Sequence, residues 1–170
     1  MQKITASFGV SVLAMCFILV AGCAMNKRPA TEKPIPQSSV PKNVMDSVNK
    51  RFPGAQVRSV ERETEHGNVV YDFELAQNGR KYETDVKEDG TILETEIQVA
   101  TRDVPDAVTR AIEARYPKAT IKEVMVVNKV VGKDEKLDHY EVTLTTAEGK
   151  TKEVTVPLSG GMAKEEGESK

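Results

Sequence analysis

Apolar residues recur at every fourth position in two places in the chain, and the second place lies 64 residues after the first. The two sets are Val44, Val48 and Phe52, and Val108, Ile112 and Tyr116. This spacing puts the side chains of each set on one face of a helix. Pro53 and Pro117 follow the aromatic residues, and the residue before a proline disfavours helical backbone. The pattern therefore predicts two amphipathic helices that end near Phe52 and Tyr116.

Alternating apolar and polar residues follow each helix. In Tyr71 to Leu75 the apolar positions alternate with Asp72 and Glu74, and the segment from Tyr140 to Leu144 alternates in the same way. A period of two is typical of strands with one buried and one solvated face. The segment from Thr91 to Ala100 has the same period. The first copy is therefore predicted to contain a helix and three strands, with a further strand that runs toward the second copy.

The helices and strands belong to an internal repeat. At the offset of 64 residues, seven of the 21 positions from Val40 to Val60 are identical to those from Val104 to Val124. A repeat of about 60 to 65 residues is too long for a solenoid unit. We predict an α+β fold of two tandem αβββ modules, residues 40–100 and 101–162, each with a helix packed on an antiparallel sheet. Whether the two sheets join stays open.

Turn signals and polar segments set the limits of the modules. Asn78-Gly79 predicts a tight hairpin, because both central residues of a type I′ turn need a positive φ. Residues 23–39 are rich in proline and polar residues and are predicted to be a flexible linker. Residues 163–170 form a polar segment that is predicted to be a disordered tail.

The first 23 residues are predicted to be an export signal. Lys3 precedes a short apolar run, Val10 to Val20, which is less than a membrane-spanning helix needs. The run ends in Val20-Ala21-Gly22-Cys23, which resembles the lipobox of bacterial lipoproteins. The resemblance implies that residues 1–22 are a signal peptide cleaved after Gly22 and that Cys23 carries a covalent lipid. An uncleaved anchor and a soluble secreted product are the alternatives.

A lipidated Cys23 would fix where the protein acts. Two or three acyl chains such as palmitate hold a protein stably on a membrane, so we expect a membrane-anchored lipoprotein of the cell envelope. Ala24 follows Cys23. By resemblance to lipoprotein sorting in bacteria with two membranes, this residue implies the outer membrane, with the modules facing the periplasm.

The ordered motifs of both copies resemble the PepSY and PepSY-like family, which includes a group likened to the β-lactamase-inhibitor fold. The motifs are Arg51-Phe52-Pro53-Gly54-Ala55, Tyr71-Asp72-Phe73-Glu74-Leu75, Asn78-Gly79 and Glu88-Asp89-Gly90-Thr91-Ile92-Leu93, then Arg115-Tyr116-Pro117-Lys118-Ala119 and Tyr140-Glu141-Val142. The resemblance covers residues 40–162. It implies small helix-on-sheet modules outside the cytoplasmic membrane and no catalytic residues.

Composition excludes several functional classes. The 24 Lys and Arg residues against 26 Asp and Glu residues give a net charge of −2, without the basic excess that nucleic-acid binding needs. Both cysteines, Cys16 and Cys23, lie in the leader, so no later residue can form a disulfide or thiolate metal site. Enzyme motifs are absent. His66 and His139 do not align between the copies, so loop positions are favoured over a metal pair, and no cofactor besides the lipid is expected.

Three sets of residues are candidates for partner binding. Tyr82 is the one aromatic residue after Cys23 that the core stripes leave exposed, and the charged loop from Val130 to Asp138 is an insertion in the second copy. Acidic positions of alternating strands form the third set, which is a solvated sheet face or a weak site for calcium or a cationic peptide. The candidates are Tyr82; Lys133, Asp134 and Glu135 in the loop; and Asp72 and Glu74, with Glu94 and Glu96.

These features favour a non-enzymatic binding module anchored in the envelope. Its expected partner is a protein or peptide, for example a protease, bound through the sheet face or the charged loop. The alternative is a structural or envelope-homeostasis lipoprotein that acts by self-association or by assembly into a larger complex.

Overall fold

A computed structural model describes residues 34–65, 67–161 and 163–165. Within these residues a short 3₁₀ turn, Gln37–Ser39 or Thr101–Asp103, precedes each of two helices. The helices and strands, in chain order, are α1 Lys42–Arg51, β1 Gln56–Glu65, β2 Asn68–Gln77, β3 Arg80–Lys87, β4 Ile92–Gln98, α2 Asp106–Arg115, β5 Thr120–Val131, β6 Asp134–Thr145, β7 Thr151–Pro157 and β8 Lys164–Glu165.

All eight described strands form one antiparallel sheet in the order β1 to β8, so each strand pairs with its neighbours in the chain. The pairing of β4 with β5, from Glu94 with Lys129 to Gln98 with Met125, crosses the boundary between the two copies. The α+β class is confirmed, and the two sheets join. The description as two αβββ units does not hold in detail, because α1 is followed by four strands within its own copy.

The two helices begin and end as the prolines dictate. Pro41 and Pro105 have extended ψ angles of 142° and 141° and lie one position before the first helical residue, at the N-cap. The helices end at Arg51 and Arg115, and the following aromatic residues leave the helical conformation. Both predicted ends are therefore confirmed, because a residue that precedes a proline cannot continue the helix without a clash.

Both helices pack on the same face of the sheet, over two separate apolar cores. The alternating positions of β2 and of β6 point into these cores, as predicted. The first core contains Val40, Val44, Val48, Phe52, Val60, Tyr71, Phe73, Leu75 and Val86. The second contains Val104, Val108, Ala111, Ile112, Val124, Tyr140, Val142, Leu144, Val154, Val156 and Ala163.

The folded part extends beyond the predicted limits at both ends. The backbone N–H of Ile35 donates to the carbonyl of Val60 at 2.8 Å, and Ile35 packs against the first core. Ala163 is 1% exposed in the second core, and β8 pairs with β7. The predicted linker therefore ends before Ile35, and the predicted tail does not begin at Ala163, because apolar side chains there are buried.

Several predictions concern residues outside the described ranges. Gly22, Cys23 and His66 belong to this group, so the signal peptide, the lipid site and the histidine pair stay predictions. Among residues 34–65, 67–161 and 163–165, no helix combines the length and the apolar character needed to cross a membrane.

Candidate functional site

The sheet face that carries no described helix, here called the open face, is rich in carboxylates. Residues that pair directly across antiparallel strands share a face, so the strand register assigns each side chain. The ionisable residues that it places on the open face are Glu61, Glu63, Asp72, Glu74, Lys81, Glu83, Asp85, Lys87, Glu94, Glu96, Glu123, Lys129, Lys136, His139, Glu141, Glu153 and Lys164.

Acidic residues of the open face form two lines, here called the acid rows, of which the first crosses β1 to β4 and the second crosses β2 to β4. In the first row each carboxylate lies directly opposite the next across the strands. From β1 to β4 the row consists of Glu61, Asp72, Asp85 and Glu94. The second row consists of Glu74, Glu83 and Glu96. Like charges directly opposite each other destabilise a sheet, so the acid rows cost stability and call for compensating cations.

Two lysines supply part of this compensation. Lys81 contacts Glu83 at 2.7 Å and Glu123 at 3.1 Å, and Lys129 forms an ion pair with Glu94 at the end of the first row. Burial lowers the pKa of Lys81, but hydrogen bonds and charge attraction from Glu83 and Glu123 outweigh burial and raise it above its ordinary value. Lys81 therefore stays charged across the physiological range.

His139 is a titratable group on the open face that contacts two carboxylates. Its Nδ1 lies 2.9 Å from Asp138 and its Nε2 lies 3.2 Å from Glu141. Burial lowers the pKa of His139, but the hydrogen bonds to Glu141 and Asp138 raise it overall. His139 lies in β6 rather than in a loop, so the expected loop position is wrong. A bulge at Asp138 shifts the register beside it.

The innermost carboxylates of the open face are buried. Glu96 is 1% exposed, Glu94 3%, Glu141 4% and Asp85 5%. Within the described residues no helix or second sheet lies over this face, since α1 and α2 pack on the opposite side. Buried carboxylates are costly unless cations or hydrogen bonds surround them, so this face is suited to hold cationic groups.

The predicted residues of the acidic set lie together on the open face. Asp72 and Glu74 are half-buried members of the acid rows, Asp72 in the same row as Glu94 and Glu74 in the same row as Glu96. Sequence reasoning missed Glu83 and Asp85, although the alternation of Tyr82, Thr84 and Val86 in β3 was a usable signal. No group of three or more His, Cys, Asp or Glu residues in the described ranges has the arrangement of a metal site.

The charged loop predicted from Val130 to Asp138 is instead the end of the β5–β6 hairpin. Val131 pairs with Asp134, so only Gly132 and Lys133 form the turn. The segment therefore is a solvated hairpin connection, but its strands extend further than predicted, because at a hairpin end that lies largely in water they lack the apolar alternation that marks a half-buried strand. Asp134 is exposed at the start of β6.

Glu135 joins this hairpin to the first copy. One carboxylate oxygen lies 2.5 Å from the Arg51 guanidinium at the end of α1, and the other accepts a hydrogen bond from Thr95. Lys133 and Glu135 line a crevice of about 500 Å³ together with α1 and the β3–β4 turn. This crevice lies on the helix side of the sheet, so the hairpin residues and the acid rows do not form one site.

The prediction of an exposed Tyr82 is wrong. Tyr82 is half-buried on the helix side of β3, with its ring centroid 5.7 Å from that of Phe52. Its neighbours in sequence, Lys81 and Glu83, are polar because they lie on the open face. Tyr82 therefore belongs to the first core rather than to a binding surface.

Comparisons with known proteins place these features in a family. The family model described as "Putative beta-lactamase-inhibitor-like, PepSY-like" matches residues 28–94 and 69–162. No curated protein matches the chain. Similar solved structures come from Bacteroides species and agree with this chain in fold.

One of these structures is a BLIP-like protein from Bacteroides fragilis, 19% identical, with 80% of this chain and 91% of that chain covered and a TM-score of 0.50. A DUF2874 family protein from Bacteroides uniformis is 18% identical, with coverages of 74% and 88% and a TM-score of 0.52. A protein from Bacteroides eggerthii described as one of the "putative periplasmic proteins" is 15% identical, with coverages of 74% and 88% and a TM-score of 0.53.

Proposed function

The chain belongs to the PepSY-like, β-lactamase-inhibitor-like family, and on that basis we propose that it is a non-enzymatic binding module of the bacterial envelope. Its partner is a protein or peptide with a cationic surface, and the open face is the binding surface. The observation that carries this proposal is the pair of acid rows. They place like charges opposite one another on adjacent strands and so concentrate negative charge on one face of the sheet.

The charge of the open face defines the chemistry of the partner. Lysine or arginine side chains would relieve repulsion within the acid rows and would exchange hydration for charge-assisted hydrogen bonds. Complementary charge also speeds the encounter of two proteins and excludes acidic competitors. A protease with a basic surface is one partner of this kind.

Two observations support the envelope location: the lipobox-like motif in the leader and the fold shared with a protein described as periplasmic. Val20-Ala21-Gly22-Cys23 supports a lipid anchor on Cys23, and the fold is shared with the Bacteroides eggerthii protein described as periplasmic. In a bacterium with two membranes the anchor would hold the module at the outer membrane, facing the periplasm. Intact mass of the membrane-extracted protein tests this: we expect a chain that begins at Cys23 and carries lipid, and loss of both features in Cys23→Ala.

The binding proposal is tested by capture of envelope proteins on the intact chain. We expect Asp72→Lys with Glu74→Lys to abolish capture of a basic partner, because this double variant reverses charge in both acid rows. The matched control is Asp106→Lys with Glu113→Lys, since these exposed carboxylates lie on α2. Circular dichroism should first show that all three proteins fold. Capture by both variants would then contradict the proposal, and so would the absence of capture by all three proteins.

Self-association through sheet edges has less support. The outer edge of β1 is partly covered, because Ile35 donates a hydrogen bond to Val60 in the middle of that strand. A register shift between Val57 and Ser59 interrupts the same edge. Such features discourage pairing with another strand.

A further inference from the structure

The segment directly before the described fold is basic, whereas the open face is acidic. We infer that residues 24–33 of the chain dock on its own acid rows and occupy the open face until a cationic partner displaces them. This inference rests on the proposed binding role of that face and adds its regulation. The tether would then serve as an internal competitor as well as a spacer.

Charge complementarity is the first argument. Residues 24–33 have the sequence Ala-Met-Asn-Lys-Arg-Pro-Ala-Thr-Glu-Lys, with three cations, Lys27, Arg28 and Lys33, against one acid, Glu32. The acid rows present carboxylates on neighbouring strands about 4.8 Å apart. A cationic segment that crosses the strands can therefore approach several carboxylates at once.

The point where the tether meets the fold is the second argument. Ile35 binds the carbonyl of Val60, and the neighbours of Val60 in β1 are Ser59 and Glu61. Glu61 is the outer end of the first acid row, and Ser59 pairs with Glu74, the outer end of the second. The tether thus leaves the fold at the β1 edge, where the first row begins and one strand away from the outer end of the second row.

The length of the tether is the third argument. Ten extended residues span about 31 Å at about 3.1 Å per residue. The longer row runs from β1 to β4, which is three strand spacings or about 14 Å. Residues 24–33 can therefore cross both rows and still leave several residues between the sheet and Cys23.

Burial of the inner carboxylates agrees with an occupant of this kind. Glu94 and Glu96 are 3% and 1% exposed at the inner ends of the rows, on a face that no other described helix or sheet layer covers. A segment that carries lysine and arginine would cover these carboxylates and neutralise them together. A partner must then compete with a tether whose effective concentration is in the millimolar range.

The test compares the intact chain with a variant whose tether lacks cations. The variant is Lys27→Gln with Arg28→Gln and Lys33→Gln, and the probe is an acetylated synthetic peptide of residues 24–33. We expect calorimetry to show that the variant binds the peptide at least tenfold more tightly than the unmodified chain, because its own tether no longer competes. Salt at 0.5 M should remove the difference.

A matched variant controls for net charge. Lys42, Arg102 and Arg110 are exposed on the helix side of the sheet, so changing all three to Gln removes the same charge elsewhere. This control should bind the peptide as weakly as the unmodified chain does. Equal affinity of the tether variant and the unmodified chain, or no binding to either, would overturn the inference.

The two proposals can fail separately. Capture of a basic envelope protein in the absence of peptide binding would overturn the tether inference and leave the proposed function standing. Peptide binding as expected, without capture of any envelope protein, would support docking of the tether and count against the proposed partner.

Discussion

In each copy of the repeat a turn packs against the helix of that copy, and the two copies hold these corresponding turns by different means. In the first copy, residues 40–98, the Asn43 side chain donates to the carbonyl of Glu88 at 2.7 Å and so fixes the β3–β4 turn. In the second copy, residues 104–165, Ala107 takes the place of Asn43, and the turn at Gly160 lies directly against the backbone of α2. The first copy adds a side-chain hydrogen bond, and the second packs its turn more closely on the helix backbone.

The flank of each helix follows this difference. Ser47 and Lys50 face the crevice of the first copy, whereas Ala111 and Ala114 line the corresponding groove of the second. Small side chains permit the close approach of α2 to Gly160. One duplicated scaffold can thus keep its shape while its tolerance of substitutions changes.

The largest expected effect is at the two turn glycines. A Cβ on Gly160 would lie 2.5 Å from the Ala107 carbonyl oxygen, whereas a Cβ on Gly90 would first meet the Ser47 hydroxyl at 2.9 Å. Both glycines have positive φ angles, so an alanine would strain the backbone at either position. We expect Gly160→Ala to lower the free energy of unfolding by about 3 kcal/mol and Gly90→Ala by about 1 to 2 kcal/mol. Equal losses in urea denaturation would show that the two packing modes do not differ.

The second effect concerns the aromatic residue that ends each helix. In the described part of the chain the Tyr116 hydroxyl is buried and makes no hydrogen bond of ordinary geometry, although the Arg115 side chain interacts with it, whereas the first copy has Phe52 at this position. Burial of the Tyr116 hydroxyl also raises its pKa. We expect Tyr116→Phe to stabilise the protein by up to about 1 kcal/mol, because a buried unpaired hydroxyl is costly. The reverse change, Phe52→Tyr, should destabilise it, and loss of stability in Tyr116→Phe would reveal a partner for the hydroxyl.

A smaller effect is expected where the copies contact each other through Arg51 and Glu135. Their side chains are 40% and 32% exposed, so water weakens the ion pair. A double-mutant cycle with Arg51→Gln and Glu135→Gln should give a coupling free energy of about 0.5 kcal/mol. A coupling near zero would mean that this ion pair adds nothing to the β4–β5 pairing and the other contacts between the copies.

The smallest effect is a pH dependence confined to the second copy. At the matching position the first copy has Val70 and the second has His139, flanked by Asp138 and Glu141. The pKa of His139 is raised in the folded state. Its contribution to the free energy of unfolding is therefore complete below about pH 6.5 and is lost as the pH rises through the folded-state pKa. The urea midpoint should fall more between pH 5.5 and 8.5 in the unmodified chain than in His139→Val. Parallel pH profiles would exclude this contribution.

The sequence predicts those features whose causes lie close together in the chain. The prolines after Phe52 and Tyr116 end the helices, alternation places Tyr71 to Leu75, and Asn78-Gly79 forms the expected turn, with positive φ at both residues. Each depends on local backbone preference or on a periodic burial pattern. The placement of Asp72 and Glu74 on the open face follows from the same alternation.

Features that depend on distant pairing could not be predicted in this way. Arg51 and Glu135 are 84 residues apart, and nothing in either local pattern specifies their contact. The pairing of β4 with β5, which joins the two sheets, likewise depends on how the two copies are oriented relative to each other. Tyr82 was misplaced because its polar neighbours suggest exposure, whereas they mark only the opposite face of a strand.

The strand order has a consequence for how the chain reaches its native state. Every strand pairs with the one that precedes it, and the first core uses residues from Ile35 to Ile92 while the second uses residues from Val99 to Ala163. Loop closure is therefore inexpensive at each step, and contact order is low for so large a sheet. A polypeptide that emerges from a translocation channel with its N-terminus first could complete the first core before α2 appears. The two copies would then fold in the order in which the chain emerges, and the edge of β4 in the folded first copy would be available to pair with β5 of the second.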